Sequence, residues 1–227
     1  MTRSSELTLN LPPHDAQPPV VVEVWGPAAL FTRPEAKVER VSYPVMTPSA
    51  AVGVLEAIFW KPEFGWRIVA IEVLAPIVEG AVRRNETTQV LTVDAAAQGA
   101  KIDTAAHRTQ RATTFLKDVR YRIHAHVQLR DHASDPAAKY RDQFRRRVRR
   151  GACFAQPYLG TREFTASFGP ATGDAPIALS TDLGVMLHSI TFGPGGTTPI
   201  SSWFTARLDD GVLHVPAQGI AAGGGAV

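Results

Sequence analysis

The sequence predicts an α+β fold, on three observations. Residues 119 to 130, V-R-Y-R-I-H-A-H-V-Q-L-R, alternate apolar and polar side chains at the strand period of two. Two segments, opening at Thr47-Pro48 and Asp135-Pro136, carry helix-start chemistry. After Gly151 the texture changes to short apolar runs separated by Gly, Pro, Thr and Asp, the pattern of a β-rich region.

Each element follows in order. Residues 1–18 are polar and proline-rich without an apolar signal-type stretch, and are expected as a flexible tail. Val20 to Trp25 reads as a first strand, and Lys37 to Tyr43 as an extended segment. Thr47 is the N-cap of a helix with Pro48 at its first position, and Val52, Leu55, Ile58 and Phe59 form its apolar stripe. Trp60-Lys61-Pro62 ends it, and Trp66 to Leu74 is a second strand. Residues 78–115 are polar and read as a long hairpin or a mobile excursion. The alternating strand follows, then a helix over 136–150 stopped by Gly151.

This order is that of a ferredoxin-like (RRM-like) βαββαβ domain, assigned to residues 19–152. A smaller β-rich C-terminal domain is assigned to 153–218, with runs at Tyr158 to Phe168, Leu183 to Phe192, Ser201 to Leu208 and Val212 to Val215. Asp210-Gly211 joins the last two as a hairpin turn. Residues 219–227 are Gly/Ala-rich and expected to be disordered. Trp25, Trp60, Trp66 and Trp203 sit in or beside apolar runs and are expected in the core.

The 227 residues hold one cysteine, Cys153, so no intrachain disulfide forms and a reducing cytoplasm is the simple reading. No run approaches the ~18 apolar residues of a membrane span, so no membrane partner is expected. P-loop, H-E-x-x-H, C-x-x-C and G-x-S-x-G motifs are missing, which excludes the enzyme classes they mark.

Charge is concentrated. The chain is +3 overall, yet residues 101–150 contain fourteen Lys or Arg against five Asp, a net +9. Such a block marks a polyanion binder, most often of nucleic acid, and arginine's planar fork suits phosphates and bases. The polar face of the alternating strand carries Arg120, Arg122, His124, His126, Gln128 and Arg130 without a carboxylate. Either an anion lies against that face, or acids from elsewhere in the fold balance it. Arg145, Arg146, Arg147, Arg149 and Arg150 exceed what a helix C-terminus needs, which favours phosphate contacts. His124-x-His126 could begin a metal site, but no third ligand is indicated, so neither a metal nor a cofactor is expected.

Four blocks carry a resemblance: V-W-G-P-A-A-L-F-T-R-P at Val24 to Pro34, S-Y-P-V-M-T-P-S-A-A-V-G-V-L-E-A-I-F-W-K-P at Ser42 to Pro62, L-K-D-V-R-Y-R-I-H-A-H at Leu116 to His126, and P-Y-L-G-T-R-E-F at Pro157 to Phe164. Together they resemble the type I-C (Dvulg-subtype) CRISPR-associated proteins of the RAMP superfamily. The resemblance implies binding of the hairpin repeat of precursor CRISPR RNA, its endoribonucleolytic cleavage, and retention of the 5′ handle in the Cascade complex with backbone and large subunits. It further implies metal-independent attack of a ribose 2′-OH on the adjacent phosphate. Gly193-Pro194-Gly195-Gly196 is either the RAMP glycine-rich loop or a turn between C-terminal strands.

The family's usual catalytic set is a tyrosine, a lysine and a histidine. In this sequence the tyrosine position is Phe59, and the Lys-His pair is Lys139-Tyr140. Phe59 has no hydroxyl, and a tyrosine of ordinary pKa about 10 is a poor base at neutral pH. Tyr140 itself stays a candidate, Tyr43, His107, Lys117, His124 and His126 are candidate replacements, and Lys139 is the charge stabiliser. The expected RNA contacts are Lys117, Arg120, Arg122, His124, His126 and the arginines of 145–150. Three readings stay open: an endoribonuclease, a non-catalytic handle-binding Cascade subunit, and a general nucleic-acid-binding protein that takes duplex DNA non-specifically.

Overall fold

The computed structural model describes residues 18–36, 38–192 and 199–221. Its elements in chain order are β1 (Val20–Ala29), β2 (Arg40–Val41), α1 (Pro48–Ile58), β3 (Phe64–Val73), β4 (Val78–Thr87), α2 (Val93–Ala97), β5 (Arg108–Leu129), α3 (Ala137–Arg150), β6 (Ser167–Gly169), β7 (Thr181–Phe192), β8 (Pro199–Asp209), β9 (Val212–His214) and β10 (Ile220–Ala221). Strands dominate, and they form one sheet in the order β10-β8-β9-β3-β5-β1-β6. Off that path β2 and β4 pair with β5, and β7 with β8. Every pairing is antiparallel except the short β2–β5 contact.

β5 organises this sheet because it is 22 residues long and has two kinds of neighbour. Its C-terminal half lies between β1 and β3, with Ile123 opposite both Val22 and Ile71. Its N-terminal half continues as a two-stranded ribbon with β4, in register from Val78↔Lys117 to Thr87↔Arg108. The polar 78–115 stretch therefore takes the hairpin alternative, closed by ladder hydrogen bonds, with the short α2 in its loop.

One face of the sheet is apolar and carries the helices. Val119, Tyr121, Ile123, Ala125 and Val127 share it with Val20, Val22 and Val24, and all are buried. Fully burying such a side chain stabilises by about 1.5–3 kcal/mol relative to exposure. Residues after Gly151 extend the same sheet and join the same core cluster: Met186, Leu187, Phe204 and Leu213 pack with Val24, Leu55 and Tyr121. Of the expected strand at Tyr158 to Phe168, only β6 and a Tyr158↔Thr165 bridge form.

Local chemistry sets the helix ends. Thr47 accepts a hydrogen bond from the Ala50 amide at 3.2 Å, as its N-cap position requires. Gly151, at φ 64°, turns the chain out of α3 in the left-handed conformation that glycine adopts without strain. The N-terminus of α3 departs from expectation. Its cap residue is Pro136 with no side-chain cap bond, because the Asp135 carboxylate is engaged by Lys139 instead. Asp210 and Gly211 both have positive φ, 47° and 77°, as a two-residue primed turn demands.

The tryptophans divide. Trp66 is buried, whereas Trp25 and Trp60 are 41% and 48% exposed, so the expectation of a core role fails for those two. The Gly193–Gly196 loop, both predicted tails except Pro18 and Gly219 to Ala221, and His14 lie outside the described residues. No helix among the described residues is long and apolar enough to cross a membrane.

Candidate nucleic-acid interface

The polar face of β5 is balanced by acids from its neighbours. Glu23 on β1 and Glu72 on β3 stand directly opposite Arg122 in the two ladders. Arg122 donates to Glu23 Oε1 at 3.1 and 2.8 Å and also pairs with Glu72. His124 Nε2 lies 2.6 Å from Glu72 Oε1. Arg120 reaches both Glu23 and Asp174 at 2.7 Å. The Thr172 amide donates to Glu23 at 2.7 Å. Burial opposes the charge on Glu23, but the bonds from the Thr172 amide, Arg120, Arg122 and the Thr172 hydroxyl outweigh it and hold the carboxyl below its usual range. Of the two readings of this face, internal balance is the one realised. Arg122, His124 and His126 are all buried, so they are withdrawn from any solvent ligand, and Arg120 is committed to two carboxylates. The sequence signal was a lone glutamate inside each of two apolar strands.

The other candidates are scattered. Tyr43 is fully buried with the Arg33 guanidinium 4.6 Å over its ring, which removes its hydroxyl from solvent chemistry. His107 is exposed where the β4–β5 ribbon's loop closes, its carbonyl accepting from Thr88. Lys117 is exposed at the other end of that ribbon, opposite Val78.

Phe59, Lys139 and Tyr140 do come together, where the end of α1, the start of β3 and α3 meet. Phe64 packs between Phe59 and Tyr140, with ring centroids 5.4 and 4.9 Å away. Both flanking rings are buried, the Tyr140 hydroxyl with them. Burial first, then the charges of Glu63 and Asp135, push the Tyr140 hydroxyl above its ordinary pKa, which makes it a still poorer base. Lys61 lies 5.7 Å over the Tyr140 ring. Lys139 is exposed and pairs with Asp135 at 2.8 Å, which holds its ammonium charged to higher pH.

The arginines of α3 have different duties. Arg147 donates to the Ile58 carbonyl at 2.9 Å and sits 5.2 Å over Phe59, so it caps the end of α1. Arg145 pairs with Asp142 at 3.6 Å. Arg146, Arg149 and Arg150 are exposed and have no ion pair or side-chain hydrogen bond among the described residues. Lys139, Arg146 and Arg150 follow one another at i, i+7 and i+11 and share a face spanning about 16 Å. Two exposed aromatics lie at the end of α1, Trp60 and Phe154, the latter tied by its amide to the Ala57 carbonyl at 2.8 Å. Exposed arginines without ion pairs among the described residues, together with exposed rings, suit a flexible nucleic-acid strand, whose phosphates and base faces they complement. Sequence reasoning missed Trp60, Lys61 and Phe154 here. The first two stand inside the quoted W-K-P block; nothing in the sequence sets Phe154 apart. Among the described residues, no three His, Cys, Asp or Glu side chains gather as a metal-ligand set.

Fold and surface together define a class. The structure resembles a crystal structure of a CRISPR-associated protein, with a TM-score of 0.63 and 25% identity, covering 87% of this chain and 91% of that one. The chain belongs to the Cas5d family, described as CRISPR-associated protein (Cas_Cas5), which it matches over residues 20–216. It is 45% identical to a protein of Thermus thermophilus named CRISPR pre-crRNA endoribonuclease Cas5d, covering 87% of this chain and 91% of that one. A protein of the same name from Mannheimia succiniciproducens is 43% identical, with 86% and 93% covered.

Proposed function

We propose that this chain is a type I-C Cas5 protein that binds the hairpin repeat of precursor CRISPR RNA, cuts it as an endoribonuclease, and keeps the 5′ handle within Cascade. The observation that carries the reading is its 45% and 43% identity, nearly end to end, to two proteins named pre-crRNA endoribonucleases. The strand order β3-β5-β1-β6, with α1 following β1 and α3 following β5, supports a ferredoxin-like unit over residues 19–152. Residues 153–218 then form a β-rich extension of that sheet.

In this reading Arg146, Arg149 and Arg150 hold phosphates, and Trp60 and Phe154 offer faces for unpaired bases. Lys139, released from Asp135 by a competing phosphate, stabilises the negative charge that develops as the 2′ oxygen attacks phosphorus. The products are a 2′,3′-cyclic phosphate and a 5′-OH. Tyr43, Arg122, His124 and His126 serve the fold, as does Arg147.

One observation favours a second reading, a handle-binding subunit without cleavage: Phe59 lacks a hydroxyl and that of Tyr140 is buried. Incubation of excess protein with its own repeat RNA in EDTA separates the two. A single cut, blocked by 2′-deoxy substitution at the scissile nucleotide, is expected. Tight binding with no cut would establish the handle-binding subunit. Equal affinity for unrelated duplex DNA would make the chain a general nucleic-acid binder.

A further inference from the structure

We infer that His132 is the general base of the cleavage, filling the role that buried Tyr140 cannot. This rests on the RNA-cleaving function proposed above. The chain has seven histidines, and His14 lies outside the described residues. Of the remaining six, His124 is buried against Glu72, and His126 is buried in β5. His107 belongs to the β4–β5 ribbon's loop, and His188 bonds the Pro216 carbonyl. His214 lies on β9, opposite Ala70. His132 contacts the α1–β3 turn at the carbonyl of Pro62, the residue after Lys61, whose ammonium lies over the Tyr140 ring.

Its geometry suits proton transfer. His132 is exposed, in the loop between β5 and α3. That loop is pinned to the turn by the Arg130 amide on the Glu63 carbonyl, 2.9 Å, and braced by the Ala133 amide on the Arg130 carbonyl, 2.9 Å. His132 Nε2 lies 3.1 Å from the Pro62 carbonyl oxygen. A carbonyl can only accept, so Nε2 carries the hydrogen. In the neutral ring Nδ1 is then left with its lone pair, open to take a proton. The backbone thus fixes the tautomer of the neutral ring and holds it at the Pro62 carbonyl. The ionisable groups on the two segments that meet here are Lys61 and Glu63, on either side of Pro62, and Arg130, Asp131 and Asp135 on the loop of His132, with Asp135 paired to Lys139 of α3.

The step balances without a co-reactant other than water. Nδ1 takes the proton of the 2′-OH as the 2′ oxygen forms its bond to phosphorus. The bond from phosphorus to the 5′ oxygen breaks, and that oxygen takes a proton from solvent. The imidazolium returns its proton to solvent.

The test compares wild type with His132→Gln and His132→Ala, using the cognate repeat hairpin in EDTA under single-turnover conditions. Glutamine keeps a donor for the Pro62 carbonyl but cannot act as a base, so a merely structural histidine would be rescued by it. The expected result is a loss of about 100-fold or more in cleavage rate in both variants, the scale of general-base catalysis. RNA affinity should change less than threefold, the rise of rate from acid to neutral pH should disappear, and added imidazole should partly restore His132→Ala. A His132→Gln enzyme that cuts like wild type with an unchanged pH profile overturns the inference and leaves the RNA-cleaving reading intact. Wild type that binds without cutting overturns that reading and this role with it.

Discussion

Arg122 decides what the basic face of β5 is for. It lies between two buried glutamates, Glu23 and Glu72, which come from 99 and 50 residues away in sequence. Removing one partner of a buried ion network leaves the others as uncompensated charge, which costs about 3–5 kcal/mol. Arg122→Ala is therefore expected to lower unfolding free energy by that amount in chemical denaturation, while RNA affinity of the folded fraction stays within twofold. A large affinity loss at unchanged stability would return Arg122 to the RNA surface. The pH dependence has a definite sign. The carboxyl of Glu23 is held below its ordinary range by the Thr172 amide and the arginines despite burial, and that of Asp174 by Arg120 and Thr172. Their stabilising contribution is present above the carboxylate pKa of the unfolded chain and is lost as pH falls through the lower folded values. Stability should thus decline below about pH 4.

At the scale of elements, α3 divides its arginines between fold and surface. Arg147 closes the end of α1, while Arg146, Arg149 and Arg150 face solvent without partners among the described residues. Replacing those three with alanine should weaken binding of the repeat RNA and flatten the logarithmic salt dependence by about 2–3, at 0.7–0.9 per phosphate contact. Arg147→Ala should instead lower the melting temperature and leave the salt slope in place. A slope unmoved by the triple variant would make the cluster a solvated helix end. These duties were half legible in the sequence. The Gly151 stop is a local signal and was read correctly; the excess of arginine is equally local, but it does not say what each arginine does. Which arginine turns inward depends on the carbonyl of Ile58, supplied by another helix, and no spacing rule within 137–150 reveals it.

At the scale of the molecule, alternation in residues 119–130 identified β5 and its buried face because the period of two is a property of the chain itself. The other face could not be resolved that way. Its balance depends on β1 and β3 lying on either side of β5, which is topology. The same limit applies to the corner near Phe59. Lys139 and Tyr140 were legible from their motif, but the substitutes weighed for the missing side chains were sought along the sequence. Tyr43, His124 and His126 proved buried, and His107 belongs to the ribbon. His132 meets the turn that carries Trp60, Lys61 and Pro62 only when the β5–α3 loop packs against it. The most direct measurement is photo-cross-linking with a repeat hairpin carrying a reactive base at the scissile nucleotide, followed by peptide mapping. Cross-links on residues 60–63 and 130–146 are predicted; cross-links confined to the β4–β5 ribbon would contradict an RNA site at this corner.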